Sequence, residues 1–117
     1  MGSISAMFEL SERDLEAGCL EIRVSGELDL AVAPELRAAL EEATDVESVV
    51  LSMEECEFID STAIAVIVRE QLRRQENDKK FAVAGCTKQV HRILDVTGLT
   101  GNGLVFASVE DALASWR

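Results

Sequence analysis

The sequence predicts one α/β domain, built on a mixed sheet of about five strands with mostly parallel inner strands and four helices. Short apolar runs alternate along the chain with segments whose apolar residues recur at helical spacing, which is typical of strands joined by crossover helices. The 117 residues contain one proline, no internal repeat and no low-complexity linker. We therefore expect residues 1–117 to form a single domain, in which residues 1–6 are a flexible or partly tag-derived start.

Five segments are predicted to form strands. Cys19–Ser25 alternates apolar and polar residues, as a half-buried strand does. Val49–Leu51 is a short β-branched run, which predicts a central strand buried on both faces. The first strand is expected to lie antiparallel at the edge of the sheet. The predicted strands are Met7–Leu10, Cys19–Ser25, Val49–Leu51, Phe81–Gly85 and Leu104–Phe106.

Four helices are predicted between and after these strands. Pro34 stands near the start of the first helix, where its missing N–H costs nothing. Ser108 precedes the last helix and is followed by acidic residues, which is the pattern of an N-cap. The segment Ser52–Glu57 is expected to be a polar loop before the second helix. The predicted helices are Ala33–Ala43, Thr62–Gln75, Val90–Val96 and a final one that ends near Trp116.

The net charge of −11 narrows the classes of partner. Such a surface repels nucleic-acid phosphates and anionic lipids, so we predict protein partners, no direct nucleic-acid binding and no membrane binding. No apolar stretch approaches the roughly 20 residues that span a bilayer, and the start lacks the regions of a signal peptide, which predicts a cytoplasmic protein. The cysteines are odd in number and widely spaced, which favours reduced core or loop residues, although a redox role stays open: Cys19, Cys56 and Cys86.

Enzyme signatures are missing from the chain. It has no phosphate-binding GxxxxGK[ST] loop, and the glycine-rich run of residues 98–103 follows a predicted helix where a turn is expected. His91 is the single histidine, and no GxSxG elbow surrounds Ser61, so neither a paired-histidine metal site nor a serine triad is supported. The sequence therefore predicts a protein that is not an enzyme and that needs no cofactor or metal.

The segment Phe58–Ile64 stands out because it joins a strand end to a helix start. The free N–H groups and the positive end of the helix dipole at such a point suit a phosphate group. An Asp60-Ser61 pair before an apolar helix is also the ordinary pattern of an N-cap. Taken alone, these residues favour capping over modification.

Three motifs in order resemble the STAS domain, and within it the bacterial anti-sigma factor antagonists. Residues 60–64 are similar to the family's Asp-Ser-[Ser/Thr]-Gly-[Leu/Ile] run, which opens the second helix. Residues 26–30 with residues 33–36 are similar to the turn that leads into the family's first helix, and residues 94–99 to the end of its third helix. The chain departs from the pattern at Ala63 and Ala65, where glycine is frequent, and we expect these methyl groups to hold a partner slightly further away.

The resemblance implies roles for individual residues. Ser61 would be phosphorylated by an anti-sigma factor with serine kinase activity, and Thr62 would be a minor second site. Asp29 would lie near Ser61 and contribute to the partner surface, and Asp60 would shape the loop before the helix. The surface implied for the partner consists of Glu27, Asp29, Asp60, Ser61, Thr62 and Ile64.

The mechanism implied by the resemblance is a binding switch. The unphosphorylated protein would bind the anti-sigma factor and so free a sigma factor, phosphorylation of Ser61 would end the binding, and a PP2C-type phosphatase would restore it. The alternative is a constitutive STAS interaction subunit of a transport or signalling complex, in which Ser61 only caps the helix.

Overall fold

The computed structural model describes residues 8–16 and 18–117, which form a five-stranded sheet and four helices. The strands are β1 (Glu9–Glu16), β2 (Cys19–Leu28), β3 (Ser48–Ile59), β4 (Lys80–Ala84) and β5 (Val105–Phe106). The helices are α1 (Ala33–Glu42), α2 (Ser61–Glu76), α3 (Lys88–Val96) and α4 (Val109–Ser115). The first strand pairs antiparallel with β2, and all other pairs are parallel. The predicted α/β fold class, with an antiparallel edge, is confirmed.

The order of the strands in the sheet is the order in the chain, and this decides where the helices lie. Crossovers between parallel strands are right-handed, so successive crossovers in one direction place their helices on one face. The main core confirms this arrangement, since it combines sheet residues with Leu36 of α1, Ile67 of α2 and Leu94 of α3. The last helix, α4, covers the opposite face through Ala112.

The third strand lies at the centre of both cores, as the sequence predicts for Val49–Leu51. Val49 and Leu51 belong to the main core under α1, α2 and α3, while Val50 packs on the side of α4. All three side chains are fully buried. The alternation of a strand therefore divides one short apolar run between the two faces of the sheet.

The prediction for the first strand is wrong in its bounds. Residues 9–16 form the strand and pair with β2 from Glu9↔Ser25 to Glu16↔Cys19, although most of them are exposed. Only Glu9 and Leu10 fall within the predicted strand Met7–Leu10. An edge strand is held by backbone hydrogen bonds and needs few buried side chains, so its apolar pattern is weak. Met7 and residues 1–6 lie outside the described residues.

The predicted polar loop at Ser52–Glu57 is also wrong, because this segment continues β3. Pairing with β2 extends through Ser25↔Glu55 and Gly26↔Cys56 to Leu28↔Ile59, with register shifts on the way. Gly26 has a φ of +93° at one of these shifts, a conformation that favours glycine. Glutamates are tolerated here because their side chains are exposed while Met53 and Cys56 are buried.

A buried arginine fixes the far end of α2. Arg74 is 2% exposed, and its guanidinium donates to the carbonyl oxygens of Lys80 at 2.9 Å, Ala43 at 3.3 Å and Val46. Glu70 supplies the neighbouring carboxylate at 3.4 Å. The sequence pattern indicates only a basic residue suited to a helix C-terminus, whereas the structure shows a tie between α2, β4 and the segment that follows α1.

Candidate partner-binding surface

The surface predicted from the Asp-Ser motif lies at the carboxyl ends of β2 and β3. Leu28 and Ile59 are paired where these parallel strands end. The chain continues from them into Asp29 and Asp60, and the N–H of Asp60 donates to the carbonyl oxygen of Leu28 at 3.2 Å. The parallel pairing therefore brings two motifs that are about thirty residues apart in sequence to the same edge of the sheet.

Asp60 joins the two motifs through its carboxylate. Its backbone is extended, and Oδ1 accepts a hydrogen bond from the N–H of Ala63 at 3.1 Å, which makes it the N-cap of α2. Oδ2 accepts from the N–H of Leu30 at 2.8 Å, in the turn before α1. The helix thus begins at Ser61 instead of Thr62, and the capping role that the alternative hypothesis assigned to Ser61 belongs to Asp60.

The turn that contains Leu30 is held by its own hydrogen bonds. Asp29 Oδ1 accepts from the N–H of Ala31 at 3.0 Å, and the carbonyl oxygen of Asp29 accepts from Val32 at 3.1 Å and from Ala33 at 2.8 Å. Such an aspartate-anchored turn has few alternative conformations. Asp29 is therefore placed in a fixed turn that contacts the residue immediately before Ser61.

Ser61 is the first residue of α2 and its side chain is exposed. Within residues 8–16 and 18–117, the hydroxyl group takes part in none of the side-chain hydrogen bonds. Helix geometry leaves the N–H groups of Ser61 and Thr62 without an intrahelical acceptor, while that of Ala63 is satisfied by Asp60. The start of α2 therefore presents a free hydroxyl next to two unused backbone donors.

The other predicted partner residues differ in exposure. Glu27 is exposed near the end of β2, Thr62 is half-buried, and Ile64 is half-buried against the main core. Ala63 is fully buried, so the expectation that its methyl group faces a partner is wrong. Ala65 is exposed and remains at the surface as expected.

Carboxylates lie in the two loops at the start of α2 and near the ends of the strands that lead into them. Asp29 and Asp60 lie in the two loops, while Glu27 and Glu57 are exposed near the ends of β2 and β3. Asp29 and Asp60 bring negative charge to the residues next to Ser61, in a protein whose net charge is already −11. The region suits a partner that brings positive charge, and it disfavours any further negative charge.

Two cysteines lie beneath this edge of the sheet. Cys56 is buried in β3, and its carbonyl oxygen accepts a hydrogen bond at 3.2 Å from the hydroxyl of Thr87, the neighbour of Cys86. Burial raises the pKa of Cys56 to about 11, and burial with the nearby Cys56 raises the pKa of Cys86 to about 11. Thiols with raised pKa values are poor nucleophiles at neutral pH, which argues against a reactive redox centre.

Two other kinds of site are absent from the described part of the chain. Across residues 8–16 and 18–117, no three His, Cys, Asp or Glu side chains are grouped so that they could hold a metal ion. No helix formed by those residues is long and apolar enough to cross a membrane. His91 is exposed on α3. A groove of about 540 Å³ lies beside Gly18 and Glu47, at the amino ends of β2 and β3 and so away from Ser61.

A mixed sheet in this order, with an Asp-capped helix at the carboxyl ends of the inner strands, defines a STAS-type domain. The family model described as "Mlab, STAS domain" matches residues 11–107, and the chain belongs to the STAS domain family. An anti-sigma F factor antagonist from Paenibacillus polymyxa is 33% identical to it over 91 residues, which cover 75% of this chain and 78% of that protein. The resemblance predicted from the sequence motifs is confirmed.

Solved structures show the same fold. An anti-sigma factor antagonist from Mycobacterium paratuberculosis superposes with a TM-score of 0.82 at 22% identity, covering 92% of each chain. The Bacillus cell fate determinant SpoIIAA in its phosphorylated form superposes with a TM-score of 0.73 at 18% identity, covering 93% of this chain and 100% of that one. At these identities the similarity establishes the architecture.

Proposed function

We propose that this protein is an anti-sigma factor antagonist whose binding surface is centred on Ser61 and is switched off when Ser61 is phosphorylated. In the unphosphorylated state the surface binds an anti-sigma factor, and a sigma factor is thereby released. The observation that carries the proposal is the division of roles between neighbours. Asp60 caps α2, which leaves the Ser61 hydroxyl exposed and free to be modified. The role is one of binding, in keeping with the names of the related antagonists.

The start of α2 can accommodate a phosphate group without unfolding. The N–H groups of Ser61 and Thr62 have no intrahelical acceptor, and the positive end of the helix dipole favours negative charge at this point. The cap does not use the Ser61 hydroxyl, so phosphorylation leaves the hydrogen bond between Asp60 and Ala63 intact. We therefore expect the modified protein to keep its fold.

The same modification opposes binding. A phosphate adds about −1.5 to −2 charge in a region that already holds the carboxylates of Asp29 and Asp60. A partner that covers this region removes water from the charges and so strengthens their repulsion. Each 1.4 kcal/mol of such repulsion lowers affinity about tenfold, so a few kcal/mol suffice to release the partner.

The phosphate group comes from a partner in this scheme, since the sequence has no nucleotide-binding motif. The oxygen Oγ of Ser61 attacks the γ-phosphorus of ATP held by the anti-sigma factor, a bond forms between them, and the bond to the β-phosphate oxygen breaks to release ADP. The hydroxyl proton passes to a base of the kinase. A PP2C-type phosphatase reverses the modification with water, which leaves serine and inorganic phosphate. Thr62 is the minor alternative acceptor.

The decisive experiment uses the serine-kinase anti-sigma factors of the host genome, each incubated singly with the purified protein and ATP. Peptide mass spectrometry is expected to place one phosphate on Ser61 with at least one of these kinases. Ser61→Ala is the matched control and should lose this major phosphate, with at most a minor one on Thr62. Phosphate mainly on Thr62 in the wild-type protein, or no phosphate with any kinase, would refute the proposed switch.

A constitutive STAS subunit of a transport complex is a second candidate, because a sulfate transporter family protein from Wolinella succinogenes shares the fold with a TM-score of 0.74 at 20% identity. Pull-down with the ATPase subunit of a host transport complex distinguishes the two proposals. Retention that is equal for wild type and Ser61→Asp would favour the constitutive subunit. Retention only by anti-sigma factors would favour the switch.

A further inference from the structure

We infer that Leu30 is an apolar anchor of the surface by which this protein binds the kinase that phosphorylates Ser61. The inference rests on the proposed function, because it takes the phosphorylating anti-sigma factor as the partner. Leu30 is 68% exposed, in the turn between β2 and α1. A large apolar side chain in that position is available for burial against another protein.

The backbone of Leu30 is fixed before any partner arrives. Its N–H donates to Asp60 Oδ2 at 2.8 Å, and the preceding residue, Asp29, anchors the turn through hydrogen bonds with the three residues after Leu30. Ordering a flexible loop reduces affinity, whereas a side chain on a pre-formed turn avoids most of that cost. The exposed leucine is therefore preorganised.

The position of Leu30 relative to Ser61 identifies the partner. Asp60 is the residue immediately before Ser61, and one carboxylate contacts both the N–H of Leu30 and the third residue of α2. An interface of ordinary size covers about 800 Å² on each partner, a disc with a radius of about 16 Å. An enzyme that places its active site on Ser61 therefore also covers Leu30.

The other exposed large apolar residues of the described stretches 8–16 and 18–117 are less well placed. Leu72 is 54% exposed and Val96 is 79% exposed. Leu72 lies eleven residues beyond Ser61 on α2, which is about 16 Å along the helix axis and so at the rim of such a disc. Val96 is the last residue of α3, which connects the parallel strands β4 and β5. Val96 therefore lies toward the amino ends of the strands, away from Ser61.

The surroundings of Leu30 also define the chemistry of the matching surface. The carboxylates of Asp29 and Asp60 adjoin the leucine, and Glu27 is exposed near the end of β2. The partner is thus expected to present an apolar pocket for the leucine with basic side chains at its rim. Burial of a leucine side chain in such a pocket changes affinity by about tenfold or more.

The test measures affinity for the kinase and the kinetics of Ser61 phosphorylation for wild type, Leu30→Ala, Leu30→Met and Leu72→Ala. We expect Leu30→Ala to raise the Kd and the KM at least tenfold while kcat at saturating concentration stays within twofold, because Leu30 lies outside the reacting groups. Leu30→Met should restore most of the affinity, since it keeps the apolar volume. Leu72→Ala is the matched control and should stay within twofold of wild type.

The outcomes separate this inference from the function on which it rests. Absence of phosphate on wild-type Ser61 with every kinase would remove the proposed function. Normal phosphorylation of Ser61 together with an unchanged Kd and KM for Leu30→Ala would overturn the role of Leu30 alone. An equal loss for Leu30→Ala and Leu72→Ala would also overturn it. A matching urea midpoint shows that Leu30→Ala is folded.

Discussion

Asp60 and Leu30, thirty residues apart in the sequence, are joined by a hydrogen bond of 2.8 Å from the backbone N–H of Leu30 to Asp60 Oδ2. The other oxygen of the same carboxylate caps α2 by accepting from Ala63 at 3.1 Å. One side chain therefore fixes both the turn before α1 and the start of the helix that carries Ser61. Because Asp60 makes both contacts, neither the turn nor the helix cap depends on the Ser61 side chain.

Replacement of Asp60 should destabilise the fold, whereas replacement of Ser61 should not. Asp60→Ala removes the cap of α2 and the tie to Leu30, and loss of a cap costs about 0.5–2 kcal/mol. Ser61→Ala removes an exposed hydroxyl at the first helical position and should change the free energy of unfolding by less than about 0.5 kcal/mol. Urea denaturation measures both values. A larger loss for Ser61→Ala than for Asp60→Ala would contradict the assignment of the cap.

A permanent negative charge at Ser61 should abolish binding and preserve stability. Ser61→Asp places a carboxylate at the first position of α2, where the helix dipole favours it by about 0.3–1 kcal/mol. We expect the melting temperature to stay close to that of wild type while affinity for the anti-sigma factor falls by tenfold or more. Calorimetry of binding and of unfolding measures the two effects. Ser61→Asn is the neutral control, and equal losses of affinity for both variants would show that charge is not the cause.

The buried arginine of α2 should be among the most sensitive positions of the fold. Arg74→Ala leaves the carboxylate of Glu70 buried without that partner and removes the donors to the carbonyl groups of Lys80 and Ala43. Breaking a buried ion pair from one side costs about 3–5 kcal/mol. Arg69→Ala, at an exposed position of the same helix, should change stability by less than about 0.5 kcal/mol. Similar urea midpoints for the two variants would refute the structural role of Arg74.

The buried thiols should make stability fall at alkaline pH. Burial raises the pKa of Cys56 and of Cys86 from the ordinary 9.0 to about 11. The unfolded chain therefore loses these protons first, so the contribution is fully present below pH 9 and is lost as the pH rises through about 11. Unfolding free energies measured from pH 8 to 11 should decline, and less steeply in Cys56→Ala. An unchanged slope in this variant would contradict the prediction.

The sequence predicts which helices and strands this fold contains better than it predicts where each of them begins and ends. The helical spacing and the β-branched run at residues 49–51 correctly indicate the core elements, because their side chains are selected by burial. The errors fall on residues 9–16 and on Ser52–Glu57, where exposed polar residues belong to strands. Backbone pairing with β2 holds those segments, and that pairing leaves little trace in local composition.

The sequence indicates where the candidate site lies along the chain, but it does not show which residue caps α2. The Asp-Ser pair at a helix start points to a cap or a phosphate site, yet neighbouring residues compete for both roles in the sequence. The structure resolves the capping role through the extended backbone of Asp60 and its hydrogen bond to Ala63. No local signal marks Leu30 or Arg74, since the first depends on a distant carboxylate and the second on carbonyl groups from β4 and from the segment after α1.

The amino-acid sequence by itself determines the α/β class, the family and the presence of a helix start that suits a phosphate group, because these follow from periodicity and short motifs. The tertiary structure alone decides that Asp60 is the cap, that Ser61 stays exposed and that Leu30 is held beside it. The reason is physical. These properties arise from hydrogen bonds between chain segments that only the pairing of β2 with β3 brings together.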